Sequence, residues 1–195
     1  MRQIILASAS PRRKELLRQL MGDNFKVVES PYHEKLQQGM NPLEFVIHNS
    51  REKAKEVASV TDHGIVIGAD TVVLCNGEIL GKPHTEDKAR ETLKLISGKK
   101  VHVVTGLTVI DIDADRQTSV SETTDITIKK MSDAEIEAYV RTAEPIDKAG
   151  AFAIQGKGAI IVERIEGDYF NVVGLPLFKL NKVLLESGID ILDME

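Results

Sequence analysis

The stretch Ile65–Pro83 constrains the fold of this chain more than any other. Its apolar run, I-V-I-G-A-D-T-V-V-L-C, is long enough for a strand buried on both faces, and one carboxylate, Asp70, interrupts it. Asn76-Gly77 then calls for a two-residue type I′ turn, and the apolar return ends at Lys82. The register set by that turn pairs Cys75 with Glu78, Val73 with Leu80 and Thr71 with Lys82. A charge inside a buried strand is costly unless it has a partner or a task. Asp70 and Lys82 fall one residue apart across this ribbon. They read either as a structural ion pair, which requires a bulge or strong twist, or as parts of one site.

Upstream, Ile4–Ala7 reads as a short buried strand that stops at Ser8-Ala9-Ser10. Ser10 as N-cap and Pro11 at the first helical position open a helix whose buried face is Leu16, Leu17 and Leu20. Arg12 and Arg13 sit in its first turn, where the macrodipole disfavours cations by about 0.3–1 kcal/mol each. A bound anion reverses that sign, because the free N–H groups of a helix start already attract one. Serine loop, helix start and arginines together read as a phosphate cradle, or else as a solvated basic turn.

A strand over Phe25–Glu29 and a loop over Ser30–Asn41, with His33, Glu34 and Lys35, come next. Asn41 and Pro42 repeat the cap signal, and the helix they open turns Leu43, Val46, Ile47, Ser50, Ala54, Val57 and Ala58 inward. Lys53 lies on the border of that stripe, where it either snorkels to water or reaches an anion within the fold.

Further on, Thr85 caps a helix that Gly98 ends, and Val101–Ile110 and Val120–Lys129 have the composition of strands joined by a loop over Asp111–Thr118. Ser132 and Glu135 form a capping box before Ile136, Tyr139 and Val140. Ala151–Ile154 and Ala159–Ile165 flank a polar turn at Gln155–Gly158, and a last helix buries Leu177, Leu180, Val183 and Leu184 before Gly188. Alternation of β-α units with antiparallel hairpins predicts an α/β fold. Its mixed, twisted central sheet is flanked by helices, in one domain over 1–195 with two lobes and the site in the cleft between them.

The totals narrow the classes. A net charge of −5 argues against a nucleic-acid partner. Cys75 is the only cysteine, which excludes an internal disulfide and a thiolate zinc cluster. No apolar run approaches the roughly 18 residues of a membrane span, and the amino-terminal run is too short for a signal peptide. The expectation is a cytoplasmic protein without a membrane partner.

Familiar sites are missing. Gly81-Lys82-Pro83 is not a Walker A motif, Gly156-Lys-Gly158 is not a dinucleotide fingerprint, and there is no H-E-x-x-H or G-x-S-x-G. What remains is basic groups beside acidic ones at strand and helix ends. Arg12, Arg13, Lys53 and Lys82 suit a polyphosphate; Glu34 and Asp70 suit a magnesium ion, a water to be activated, or both. Hydrolysis of a phosphoanhydride uses that combination.

At Leu6-Ala-Ser-Ala-Ser-Pro-Arg-Arg-Lys-Glu-Leu-Leu17 the chain resembles the Maf family of nucleoside triphosphate pyrophosphatases. The likeness recurs at Lys53-Ala54, Ile67–Thr71, Gly81–Pro83, Asp147–Gly150, Ile154–Gly156 and Asn171–Pro176, in order along essentially the whole chain. The resemblance implies a two-lobed α/β fold similar to inosine triphosphate pyrophosphatases, and often a homodimer. It implies hydrolysis of a nucleoside triphosphate to monophosphate and pyrophosphate with a divalent cation, Mg²⁺ or Mn²⁺. Asp70 then matches the proton acceptor, and Ser8, Arg12, Arg13, Lys53 and Lys82 match phosphate-binding positions.

Arg12, Thr71 and Gln155 resemble the branch acting on dTTP and UTP, where the 7-methyl-GTP branch would carry Trp, Gln and Glu. A glutamine amide suits a pyrimidine's O4 and N3–H, whereas a glutamate suits a guanine's N–H edge. The family's acidic loop commonly has a carboxylate where this chain has His33. Either Glu34 substitutes as metal ligand with Asp70, or metal binding is weaker. The alternatives to a dTTP/UTP pyrophosphatase are a 7-methyl-GTP pyrophosphatase and a nucleotide-binding regulator of cell division and septum formation.

Overall fold

Two parallel pairings organise the amino-terminal half. In the computed structural model, which describes residues 2–33 and 41–193, β1 (Ile4–Ala7) lies between β2 (Lys26–Val27) and β3 (Ile65–Cys75). The register runs from Ile4 opposite Ile65 to Ala7 opposite Gly68. All four β1 residues are buried, as a strand central to a parallel sheet requires. β2 is far shorter than the expected Phe25–Glu29, and both of its residues are exposed. An edge strand with no apolar face to bury has little to extend it.

Parallel strands need a crossover, and here it is α2 (Pro42–Ala58). Ala54 and Val57 pack against Ile5, Ala7 and Val66, with Ile110 and Ile112 at the margin of the same cluster. The helix comes unusually close to the sheet. A Cβ on Gly68 would lie 2.3 Å from the Ser50 carbonyl oxygen, and one on Gly106 would lie 2.2 Å from that of Val46. Helix backbone therefore rests on two glycines, four residues apart along the helix. The other crossover element, α1 (Pro11–Met21), has Ser10 as N-cap and Pro11 at its start as expected. Its buried face is Leu16, Leu17 and Met21, with Leu20 only half-buried.

β3 turns at Asn76-Gly77, whose φ values of 53° and 83° are the two positive angles of a type I′ turn. β4 (Glu78–Leu80) pairs Cys75 with Glu78 and Val73 with Leu80, the expected register. The strand stops there, so the further pairing of Thr71 with Lys82 does not form. Gly81 instead gives its carbonyl to the Gly150 amide at 3.2 Å, and the His84 amide donates to Ile146 at 3.0 Å.

The remaining elements are α3 (Glu86–Ile96), β5 (Lys100–Asp111), β6 (Arg116–Ile128), α4 (Asp133–Val140), β7 (Val162–Glu166), α5 (Tyr169–Val173) and α6 (Leu177–Glu186). The seven strands form one mixed sheet in the order β2-β1-β3-β5-β6-β7, with β4 on β3. β6 starts four residues before the expected Val120, and only a short turn separates it from β5. Between α4 and β7 the chain makes short 3-10 turns, including one over Gly156–Ile161.

Two compact units can be distinguished. The first takes in the chain through Asp70, then Thr105–Glu122 and everything from Gly174 onward; the second is Thr71–Val104 with Thr123–Val173. In the second unit α3 packs on α4, and Arg90 of α3 binds Glu86, Asp87 and Glu137.

Candidate active site

The first unit gathers five of the expected site residues near the carboxyl ends of its parallel strands, where α/β sheets carry their ligands. Because Ala7 lies opposite Gly68, the loop after β1 runs beside Ala69 and Asp70. Ser8 is buried there, and its hydroxyl accepts from the Ser10 amide at 3.2 Å and from Arg13 Nη1 at 3.4 Å. Arg13 continues to the carbonyls of Ala69 and Gly174, both at 2.8 Å. Its guanidinium is thus anchored at a defined place beside the Asp70 peptide. Arg12, half-buried in the same helical turn, has no hydrogen-bond or ion-pair partner among the described residues.

Asp70 is 3% exposed. α2 supplies both donors to its carboxylate: Lys53 Nζ meets Oδ1 at 2.7 Å and Asn49 Nδ2 meets Oδ2 at 2.8 Å. Positions four apart lie on one helix face, one turn above the other. The lysine on the border of the inward stripe therefore reaches a buried anion, and its side chain keeps 13% exposure. This pairing with Lys53 replaces the ion pair with Lys82 that the hairpin alone suggested. Burial pushes the Asp70 carboxyl up, but the Lys53 charge and hydrogen bond, the Arg13 charge and the Asn49 amide together hold it below the ordinary aspartate value. Asp70 is ionised at neutral pH.

Asn49, fully buried, is the site residue that sequence reasoning missed. Its signal was its place one turn before Lys53 on the inward face of α2, where an asparagine is an unfavourable helix residue.

The second unit carries the other three. Thr71 and Gln155 are half-buried, and Lys82 is exposed with no ion pair among the described residues. The segment after Gln155 is tightly held. Glu144 accepts from the amides of Lys157 at 2.9 Å and Gly158 at 2.8 Å and from the Tyr139 hydroxyl at 2.8 Å. A Cβ on Gly156 would lie 2.6 Å from Glu144 Oε2, and its φ of +73° favours glycine as well. Burial raises the Glu144 carboxyl, the two backbone donors, Tyr139 and Lys148 lower it, and the net direction is down.

Glu144 and Asp70 share one linkage sign. A carboxyl depressed by folding adds stability that is complete above the unfolded-state value, near pH 4, and is lost as pH falls through the folded value. Urea midpoints are therefore expected to stay level from about pH 7 to 5.5 and to drop below about pH 4. Glu144→Gln should flatten part of that drop, while costing about 1–3 kcal/mol at neutral pH by turning an N–H towards an amide donor. An unchanged acid slope in that variant would remove Glu144 from the account.

Glu34, expected as a metal ligand, lies outside the described residues. Among the described residues no three His, Cys, Asp or Glu side chains form a metal cluster. Asp70 nevertheless suits a single-ligand role. An ionised carboxylate has about four acceptor sites, of which Lys53 and Asn49 occupy only part. Mg²⁺ commonly takes one or two protein carboxylates and completes its shell with phosphates and water.

The model of the family described as Maf-like protein matches residues 3–187. The chain belongs to the Maf family. A relative from Methanosarcina mazei named dTTP/UTP pyrophosphatase is 58% identical over 193 residues, covering 99% of this chain and 98% of the relative. One of the same name from Caldicellulosiruptor bescii is 46% identical over the full length of both. Among solved structures, the Staphylococcus aureus Ham1 protein aligns over 96% of this chain and 100% of its own, with a TM-score of 0.52 at 13% identity. A HAM1 protein from Coxiella burnetii gives 0.51 at 15% identity, over 95% of this chain and 100% of its own. These two likenesses concern the fold, and they agree with the expected α/β architecture. No described helix of this Maf chain is long and apolar enough to cross a membrane.

Proposed function

We propose that the protein hydrolyses dTTP and UTP to the nucleoside monophosphate and pyrophosphate. The observation that carries the chemistry is the buried, ionised Asp70 held by Lys53 and Asn49 beside the anchored guanidinium of Arg13. The names of the full-length Maf relatives support the pyrimidine preference, as do Arg12, Thr71 and Gln155 in their branch-like positions.

In this reading the triphosphate lies against the start of α1, where the positive end of the helix dipole and Arg12 meet its negative charge. Ser8 and Arg13 bound that site. Lys53, with three donors on one ammonium, serves Asp70 and a phosphate oxygen together. Lys82, exposed on the second unit, stands at a further phosphate-binding position of the motif series. Asp70 accepts the proton of the attacking water; the new bond forms at the α-phosphorus, and the bond to the bridging oxygen breaks to release pyrophosphate. A divalent cation on Asp70, with Glu34 as the second expected ligand, would draw charge from the phosphate oxygens and favour the leaving group. Gln155 offers its amide to the O4 and N3–H of the pyrimidine.

A nucleotide panel tests this. Purified protein with Mg²⁺ or Mn²⁺ is expected to release pyrophosphate and monophosphate from dTTP and UTP, at least tenfold faster than from 7-methyl-GTP or purine triphosphates, and a chelator should abolish turnover. No release from any triphosphate by folded protein would overturn the reading, and preference for 7-methyl-GTP would overturn its substrate assignment.

A further inference from the structure

We propose that Asn49 is a positioning residue that locks the Asp70 carboxylate in one orientation, and that Tyr32 fixes the direction in which the Asn49 amide faces. The proposal rests on the reading of Asp70 as proton acceptor. Asn49 is fully buried in the middle of α2, where helix propensity and desolvation both disfavour an amide. Both ends of that amide are used. Its Nδ2 donates to Asp70 Oδ2 at 2.8 Å, and its Oδ1 faces the Tyr32 hydroxyl at 3.3 Å.

The chain of bonds has only one polarity. An ionised carboxylate accepts and never donates, so the NH₂ of Asn49 must face Asp70. Its carbonyl must then face Tyr32, whose hydroxyl must donate. The Tyr32 ring is itself set edge-on against His48, with centroids 6.3 Å apart at 75°.

Lys53 holds the other carboxylate oxygen, but it does so at the end of a flexible four-carbon stem and is called on by phosphate. Asn49 is short and enclosed. It holds the carboxylate plane while the ammonium turns between acid and substrate. A proton acceptor displaced by about 1 Å loses on the order of a hundredfold in rate.

The test compares Asn49→Leu, Tyr32→Phe, the double variant and Asp70→Asn in steady-state turnover of dTTP. Leucine has the same side-chain heavy-atom count and branching and cannot donate. Asn49→Leu is expected to lower kcat by about 10- to 100-fold with KM within about threefold. Tyr32→Phe should lower kcat by a smaller factor, about 2- to 5-fold. Because the tyrosine acts through the amide, the double variant should be no slower than Asn49→Leu alone.

An unchanged kcat in Asn49→Leu, or multiplying effects in the double variant, would overturn the proposal. Should Asn49→Leu not fold, Tyr32→Phe alone decides, since it removes one half-buried hydroxyl: kcat at the wild-type value would overturn it. Full activity in Asp70→Asn would instead sink the underlying reading. Loss of activity in Asp70→Asn together with a silent Asn49→Leu would sink the positioning role alone.

Discussion

Asp70→Asn is expected to lower kcat for dTTP about a thousandfold, equivalent to about 4 kcal/mol of transition-state stabilisation, with KM within a few-fold of wild type. The substitution keeps the shape of the side chain and removes its capacity to take a proton. It also disturbs its surroundings in a readable way. The carboxylate receives Lys53 on one oxygen and Asn49 on the other. An introduced amide satisfies one of them and presents N–H to the other. A buried donor left facing a donor costs about 1–3 kcal/mol, and a chain of this length loses about 2–4 °C of melting temperature per kcal/mol. A drop of several degrees should therefore accompany the kinetic loss. Steady-state pyrophosphate release and thermal melting measure the two separately. Unchanged kcat with lowered melting temperature would assign Asp70 to structure alone.

Gly68→Ala should damage stability and activity together. Its Cβ would lie 2.3 Å from the Ser50 oxygen and 2.9 Å from both the Cβ and the amide nitrogen of Ala54. Two of those atoms belong to helix backbone, so no rotamer change relieves the clash and α2 must lift from β3. Overpacking of this kind costs about 1–3 kcal/mol and occasionally more. The helix that lifts also carries Asn49 and Lys53, while Asp70 stays on the strand two residues beyond the glycine. Activity should fall with stability, by roughly a hundredfold for a displacement near 1 Å. Gly106→Ala, which meets the Val46 carbonyl, should lower the melting temperature to a similar degree. Wild-type melting and turnover in Gly68→Ala would mean that the helix can settle elsewhere without consequence.

Local chemistry makes much of this legible in the sequence alone. Ser10-Pro11, Asn41-Pro42, Thr85 and the Ser132–Glu135 box each stand at a helix start, and Asn76-Gly77 turns the hairpin in its expected register. Such signals depend on residues adjacent in the chain. The Lys53–Asp70 pair was out of reach because its two residues belong to different elements, and the register between α2 and β3 is written in no short motif. Asn49 is illegible for a related reason: a polar residue on an apolar stripe looks like an interruption until its partner is known. The hairpin reading ran one pair too far, since Gly81 finds a backbone partner in Gly150 that pattern alone does not reveal. Residues 144–161 fold into short 3-10 turns with too few residues for any periodicity to register.

The chain first passes from one compact unit to the other between Asp70 and Thr71. On the proposed reading, that peptide bond joins the residue that performs the chemistry to one that selects the base. Ser8, Arg12, Arg13, Asn49, Lys53 and Asp70 belong to one body; Thr71, Lys82, Glu144 and Gln155 belong to the other. Through Thr71 and Gln155, substrate choice can then drift by substitutions outside the body that holds the hydrolytic group, with Arg12 the one discriminating position inside it. A lineage with this layout can exchange the nucleotide it clears while inheriting its reaction intact.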